Sequence, residues 1–385
     1  MTPAVELPEP SAPALEISAA LARLIHAEIR GAGGWLDFAR YMELALYAPG
    51  LGYYSAGSTK LGPSGDFVTA PELGDFMGRA LARTLRAELA ELSKPVILEL
   101  GAGTGALAAQ ILDALADLDV TYLILEPSAD LRERQRRALA RFGARVAWLE
   151  RLPEEPIAGA IVANEVLDAL PVSCFAKRGA RVVPRGVVAR GDGLAWADGP
   201  EQRDLSDAVG SLELALGAPL ADGYRSEIAL ALPPWLASVA SALERGSILF
   251  VDYGLPRREY YHPQRAAGTL ICHYRHRAHA DPFLYPGLQD ITAWVDFSAC
   301  ADAARAAGLD VAGFTTQAQF LLATVAAEPP SLGLEAAALR ERSALKTLLL
   351  PGEMGERFKV LLLRKGHTGA AAREPLPGRD LRGRL

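Results

Sequence analysis

Residues 96–105 read Val-Ile-Leu-Glu-Leu-Gly-Ala-Gly-Thr-Gly, and no other stretch constrains the fold as much. The first five residues, apolar apart from Glu99, suit a strand buried on both faces of a parallel sheet. Gly101, Gly103 and Gly105 then end the strand at alternate positions. Glycine serves where a tight turn needs positive φ and where backbone must approach a ligand closely. A helix is predicted over 106–115. In open α/β sheets, nucleotides bind at such a turn between a parallel strand and a helix.

The spacing alone admits two ligands. Gly101-x-Gly103-x-x-Ala106 satisfies the dinucleotide fingerprint, and Glu126 follows about twenty residues on, where a ribose-binding acid belongs. Glu126 ends a second apolar strand, 121–125, and a carboxylate there accepts from both ribose hydroxyls of NAD or of S-adenosylmethionine. Glu99 separates the two. An acid two residues before the first glycine repels a pyrophosphate but suits a ligand carrying an ammonium and a sulfonium. A plain structural turn would leave the strand, helix, second strand and acid as coincidences. The turn therefore points to S-adenosyl-L-methionine, with Glu99, Gly101, Gly103, Gly105 and Glu126 as expected contacts.

At 385 residues, half of them apolar, the chain has room for two or three structural units. Its net charge of −6 argues against nucleic acid as an obligatory partner. No apolar run reaches the roughly 20 residues of a membrane helix, so no membrane insertion is expected. The first twenty residues carry Glu6, Glu9 and Glu16 and no Lys or Arg, unlike a secretory signal or an Arg-rich transit peptide. Cys174, Cys272 and Cys300 lack CxxC spacing, as expected of reduced thiols in a cytoplasmic enzyme.

Along the chain, 1–14 is expected as a mobile tail and 15–94 as a helical region with a Gly-, Tyr- and Pro-rich loop, 47–71, that covers the cofactor. Residues 95–171 form the first half of an α/β core, with strands at 96–100, 121–125, 145–149 and 159–163. Their alternation with helices implies right-handed βαβ units and a mostly parallel sheet with helices on both faces. An antiparallel insertion is expected over 172–230, turning at Gly179 and at Gly191-Asp192-Gly193. The second half of the core, 231–366, contains an acceptor-side insertion at 254–289. It should hold helices at 234–245, 290–307, 316–325 and 334–348 and strands at 247–253, 310–315 and 358–365. Residues 367–385 form a C-terminal tail.

Four longer motifs complete the pattern: Ala45-Leu46-Tyr47-Ala48-Pro49 through Gly52-Tyr53-Tyr54; Gly65-Asp66-Phe67-Val68-Thr69-Ala70-Pro71-Glu72; Asn164-Glu165-Val166-Leu167-Asp168-Ala169-Leu170-Pro171-Val172; and Gly268-Thr269-Leu270 through Cys272-His273-Tyr274-Arg275-His276. In this order, from about residue 35 to 365, they resemble the MidA family of S-adenosylmethionine-dependent methyltransferases. That family includes the mitochondrial complex I assembly methyltransferase. The resemblance implies a class I methyltransferase core, Rossmann-like, with added helical and antiparallel parts. It also implies a protein substrate, since eukaryotic members symmetrically dimethylate an arginine of a respiratory complex I subunit. Without a transit peptide, a bacterial member is expected.

Asn164-Glu165 follows the strand beside the glycine turn and should face the same crevice. Asn164 is expected either to meet the cofactor or to cap a following helix. Glu165 and Asp168, at i and i+3, would share one face of that helix and form the catalytic pair. Guanidinium offers planar, forked donors that carboxylates grip bidentately; the bland alternative pairs Asp168 with a structural Arg. Thr69, Pro71 and Glu72 read as a capping box, while Asp66 and Thr69 are also placed to meet the cofactor's amino-acid moiety. Phe67, Tyr53 or Tyr54 would sit against the sulfonium, a contact worth ~0.5–2 kcal/mol. Cys272, His273, His276 and His279 are metal-ligand types, but adjacent Cys-His points to opposite faces of a strand, so no metal is expected. Arg275, Arg277 and His279 interleave with aromatics as RNA binders do, which the acidic balance opposes. An acceptor cleft or partner surface remains for 260–279, with Asp252-Tyr253 pointing into the same opening.

Protein-arginine methylation is thus the leading reading. Methylation of a small molecule or RNA, and a non-catalytic complex I assembly factor, are the alternatives; the intact Glu99, glycines and Glu126 argue against a dead site. Gly103→Val should abolish cofactor binding by filling space the nucleoside approaches. Unchanged affinity in a calorimetric titration would refute that placement.

Overall fold

The computed structural model describes residues 7–55, 68–325, 335–366 and 374–385. Asp66 and Phe67, and parts of both expected tails, lie outside the described residues. The chain divides into two compact units, one built from residues 68–167, 233–256 and 295–385, the other from residues up to 67, 168–232 and 257–294.

In the first of these units the apolar runs become strands: β1 (Val96–Leu100), β2 (Thr121–Leu125), β3 (Val146–Leu149), β4 (Ile157–Asn164), β5 (Leu243–Leu255), β6 (Asp310–Thr316) and β7 (Phe358–Lys365). They order as β3-β2-β1-β4-β5-β7-β6, and the short strand Val295–Asp296 adds to β5. Neighbours from β3 to β5 pair in parallel. β7 runs antiparallel to both β5 and β6. This is the mixed α/β, mostly parallel core that was expected. Helix Phe76–Ala90 and helix Ala106–Ala114 supply Phe76, Leu81, Leu85, Leu107 and Ile111 to one apolar cluster with Ile97, Val162 and Leu249 of the sheet.

Parallel strands approach closely where β4 begins. Gly159 pairs with Val96 on one side and Gly246 on the other. Its φ is +146°, and a Cβ there would collide with the Val96 carbonyl.

The other unit contains helix Ala12–Gly31, which buries Leu21, Ile25 and Ile29, and helix Phe38–Tyr47. Its five-stranded antiparallel sheet runs Leu36–Asp37, Arg181–Arg190, Ser173–Arg178, Arg225–Ile228, with Gly193–Asp198 on Arg181–Arg190. The turns fall at Gly179 and Gly191, both at positive φ, as expected. Arg277–His279, Ile271–Tyr274 and Asp290–Thr292 make a three-stranded sheet. Phe38 stacks on Trp196 at 4.6 Å, and Phe283 packs against Tyr41 and Trp196.

Three expectations change. The helical block 15–94 is shared between the units rather than forming one region. The helix expected over 290–307 starts only at Phe297, because the Asp296 carboxylate accepts the Ser298 and Ala299 N–H groups and caps it there. The helix expected over 234–245 ends at Ser241, and β5 takes up Leu243 to Gly246. Among the described residues no helix is long and apolar enough to cross a membrane.

Gly159→Ala combines overpacking with an unfavourable φ, and should destabilise the chain by about 2–4 kcal/mol. A urea titration against the parent chain measures this as a lowered midpoint.

Candidate active site

The glycine turn takes the conformation its residues foretold. Gly101, Gly103 and Gly105 have φ of +66°, +54° and +84°. The Gly101 N–H donates to the Leu125 carbonyl (3.0 Å), fastening the turn to the end of β2. Gly105 caps helix Ala106–Ala114 from the left-handed region. Because β1 to β5 run parallel, this turn, Glu126 and Asn164 all fall at one carboxyl edge of the sheet. The chain leaves β1 toward β2 on one side and returns to β4 on the other. That makes the gap between β1 and β4 the switch point where such sheets bind ligands.

Two acids flank the turn. Glu99 is 2% exposed and accepts the Tyr122 hydroxyl at 2.9 Å. Burial pushes its carboxyl up to about 8, against the pull of the Tyr122 hydrogen bond and with a further push from Glu126. The charge expected to face a ligand is therefore mostly neutralised by a proton at neutral pH, and a bound cation would draw that proton off. Glu126, 4% exposed, accepts the Ser128 N–H on Oε1 (3.0 Å) and the Gln135 amide on Oε2 (3.1 Å). Burial raises its pKa, and those two hydrogen bonds and Arg132 oppose the rise. A carboxylate has about four acceptor positions, so each oxygen keeps one for a hydroxyl of a vicinal diol.

At the end of β4 the expected helix is missing. Glu165 sits at φ +55°, in the left-handed region, and residues 165–170 form bends and a turn. Glu165 and Asp168 therefore share no helical face, and Asn164 caps no helix. The bend is held from β5. Asp252 accepts the Val166 N–H (3.1 Å) and the Leu167 N–H (2.9 Å) on Oδ2, and the Glu165 N–H donates to the Val251 carbonyl (2.9 Å). Asp252, 1% exposed, braces this turn instead of pointing into an opening. The Asn164 amide nitrogen donates to Glu165 Oε1 (3.0 Å), while its Oδ1 is buried without a partner, an acceptor suited to a ligand N–H. A Cβ on Gly101 would lie 3.2 Å from Val166 Cγ2, so the glycine turn and the Glu165 turn adjoin.

Other expected site residues have their own surroundings. Asp168 belongs to the other unit, where its carbonyl accepts the Ala293 N–H (3.0 Å). There Tyr54 donates to Asp290 at 3.0 Å, and burial, Asp290 and Asp168 together push its phenol up. Tyr53 is fully buried edge-on to Tyr54 (5.1 Å). Thr69 does cap helix Ala70–Leu73, its N–H donating to Glu72 Oε2 (3.2 Å).

In the 260–279 stretch Cys272 is fully buried opposite His279, and burial keeps the His273 and His279 pKa values low. Among the described residues no three His, Cys, Asp or Glu side chains gather as metal ligands. Tyr260 instead serves Glu227, a buried acid that sequence reading missed. Glu227 accepts Tyr260 Oη (2.8 Å), Thr269 N (2.7 Å) and Thr269 Oγ1 (2.6 Å). No sequence signal marked it: on the short strand Arg225–Ile228 two adjacent polar residues, Ser226 and Glu227, are both buried.

Comparisons with known proteins bear on the cofactor. A family model described as "putative S-adenosyl-L-methionine-dependent methyltransferase" matches residues 77–315. A crystal structure from Burkholderia thailandensis bound to S-adenosyl-homocysteine is 43% identical, with a TM-score of 0.88 over 97% of this chain and 99% of that one. A native structure from the same organism is 44% identical, with a TM-score of 0.85 over the same shares. The protein arginine methyltransferase NDUFAF7 homolog, mitochondrial, of Drosophila melanogaster is 28% identical over 96% of this chain and 90% of its own length.

Glu99 generates a pH dependence. Its folded pKa of about 8 exceeds the ordinary 4.5, so the stability it contributes is complete below 4.5 and lost as pH rises through about 8. Across that window stability should fall by up to ~1.4 kcal/mol per pH unit. Glu99→Gln should remove Glu99's share of the slope and leave that of Glu126, whose burial also raises its pKa; the difference between the urea midpoints of the two chains at intervals across the window measures it.

Proposed function

The chain belongs to the family of S-adenosyl-L-methionine-dependent methyltransferases anticipated from its MidA-like motifs, and we propose that it methylates an arginine side chain of a protein. A respiratory complex I subunit is the first candidate client. The observation that supports this most is Glu165, held at the end of β4 beside the glycine turn, in a chain whose curated relatives are protein arginine methyltransferases.

When bound, S-adenosyl-L-methionine supplies an electrophilic methyl group on a positively charged sulfur. The residues of the switch point fit it by their own chemistry. Glu126 takes the ribose hydroxyls, Asn164 Oδ1 accepts from the amino group, and Glu99 becomes the counter-charge. The turn glycines keep side chains out of the nucleoside's way. Thr69 is a further candidate contact to the cofactor's amino-acid moiety, as is Asp66 by its place in the sequence.

The acceptor is held by Glu165 and Asp168. Three residues of chain keep their Cα atoms within about 11 Å, and two carboxylates hold a planar guanidinium by charge-assisted, forked hydrogen bonds. That grip turns one guanidinium nitrogen toward the methyl carbon. The N–C bond forms as the C–S bond breaks, the electron pair stays on sulfur, and the nitrogen's proton passes to a carboxylate. Positioning of this kind supplies up to ~7–11 kcal/mol of barrier lowering. Glu165 can serve this purpose because its carboxylate is tied by Asn164 and its backbone by Val251 and, through the next two residues, by Asp252.

The test uses the purified protein, tritiated donor and lysate from a strain lacking it, followed by mass spectrometry of methylarginine in complex I. Label in protein as methylarginine is expected. Glu165→Gln and Asp168→Asn should each lower transfer by about 100-fold or more while binding S-adenosyl-homocysteine like the parent. Label confined to RNA or small molecules would overturn the proposal.

A further inference from the structure

Helix Ala129–Ala138, Ala-Asp-Leu-Arg-Glu-Arg-Gln-Arg-Arg-Ala, follows Glu126 in the chain. Among its described residues Gln135 is the one buried side chain, and its exposure is zero. A polar group so placed must be hydrogen-bonded or it destabilises the fold. The Gln135 amide nitrogen donates to the Gly103 carbonyl (3.0 Å) and to Glu126 Oε2 (3.1 Å). Its Oε1 accepts the indole N–H of Trp148 on β3 (2.9 Å). A Cβ on Gly105 would lie 3.6 Å from its Cγ, so the side chain also runs along the glycine turn.

We propose that Gln135 is the positioning residue of the cofactor pocket, a single buried amide that sets the spacing between the glycine turn and the ribose acid. The inference rests on the reading of Gly103 and Glu126 as cofactor contacts. Three glycines at positive φ have many alternative conformations, and nothing in their own side chains selects one. The two N–H bonds of a planar amide diverge at a fixed angle, so one group bonded to Gly103 and Glu126 fixes their separation. Trp148, holding the amide oxygen, fixes which way the amide faces. With Oε1 of Glu126 on the Ser128 N–H and Oε2 on Gln135, the carboxylate keeps one rotamer.

Gln135→Glu tests this in the full-length protein, with S-adenosyl-homocysteine binding followed by calorimetry. The replacement keeps the shape and the acceptor for Trp148 but turns the donor toward Glu126 into an acceptor. Two facing carboxylates repel when both are ionised and regain a hydrogen bond when they share one proton. The other charged or titratable groups about Glu126 are Arg132 on the same helix and Glu99 on β1, with Tyr122 on Glu99. These are common to both proteins, so the pH dependence they give the parent divides out of the variant-to-parent ratio of dissociation constants, which then reports the added carboxylate together with its coupling to them. The ratio should be about 30 or more near pH 8.5 and fall to about 5 or less near pH 6. A ratio near one throughout, or a raised ratio that does not change with pH, would overturn the proposal.

Trp148→Phe supplies a second, milder probe. It removes only the donor to Gln135 Oε1 and should weaken binding about 3- to 10-fold at either pH; no weakening would count against the proposal. Gly103→Val separates the levels. If it binds normally, the cofactor does not lie at this turn. If it loses binding while Gln135→Glu matches the parent at both pH values, only the role of Gln135 fails.

Discussion

Taking a carboxylate out of water costs several kcal/mol unless hydrogen-bond donors replace the solvent, and this requirement organises the carboxyl edge of the parallel sheet. Glu99, Glu126 and Asp252 are each under 5% exposed there. Each solves the problem differently. Asp252 takes backbone N–H groups from the turn after β4, and so dictates that turn's shape. Glu126 takes one backbone N–H and one side-chain amide, and so is locked to the glycine turn. Glu99 is given a single phenol and answers by holding a proton up to about 8. The donors assigned to three acids thus determine where backbone bends and where charge is held in reserve.

That division fits a site for a cationic donor. A fully ionised, unpartnered Glu99 would be expensive in the free protein, whereas a protonated one becomes a counter-ion when positive charge arrives. Family membership and the cofactor follow from motifs and relatives together. The arginine acceptor remains the proposal built on Glu165 and Asp168.

Sequence reading was strongest where one residue type has one physical use. The alternating glycines could be placed at positive φ because few other residues tolerate it, and all three are there. The apolar runs of β1, β2 and β4 were legible because a strand buried on both faces has little alternative. Reading failed where distant groups decide. Residues 165–170 have the composition of a helical turn, but the Glu165 N–H continues the strand pairing onto the Val251 carbonyl, its φ is +55°, and Asp252, about 85 residues downstream, holds the next two N–H groups in that bend. Gln135 left no trace in a helix without an apolar stripe, because what it buries is an amide. Ile291, Val295 and Ala299 have helical spacing, yet the first two lie on strands and the helix begins after its cap, Asp296. The second unit was invisible as a unit, since local periodicity cannot report that residues up to 55, 168–232 and 257–294 pack together.

That last arrangement has a consequence for synthesis on the ribosome. The chain passes from one unit to the other at 67/68, 167/168, 232/233, 256/257 and 294/295. Neither unit can close until distant segments have been made: β7 joins its sheet only after residue 358 emerges, and the first helices wait for residues near 290. Such non-local pairing slows folding and leaves apolar surface uncovered while translation continues. The nascent amino-terminal helices, carrying Leu21, Ile25, Phe38 and Tyr41, are therefore the segment of this protein most in need of a chaperone.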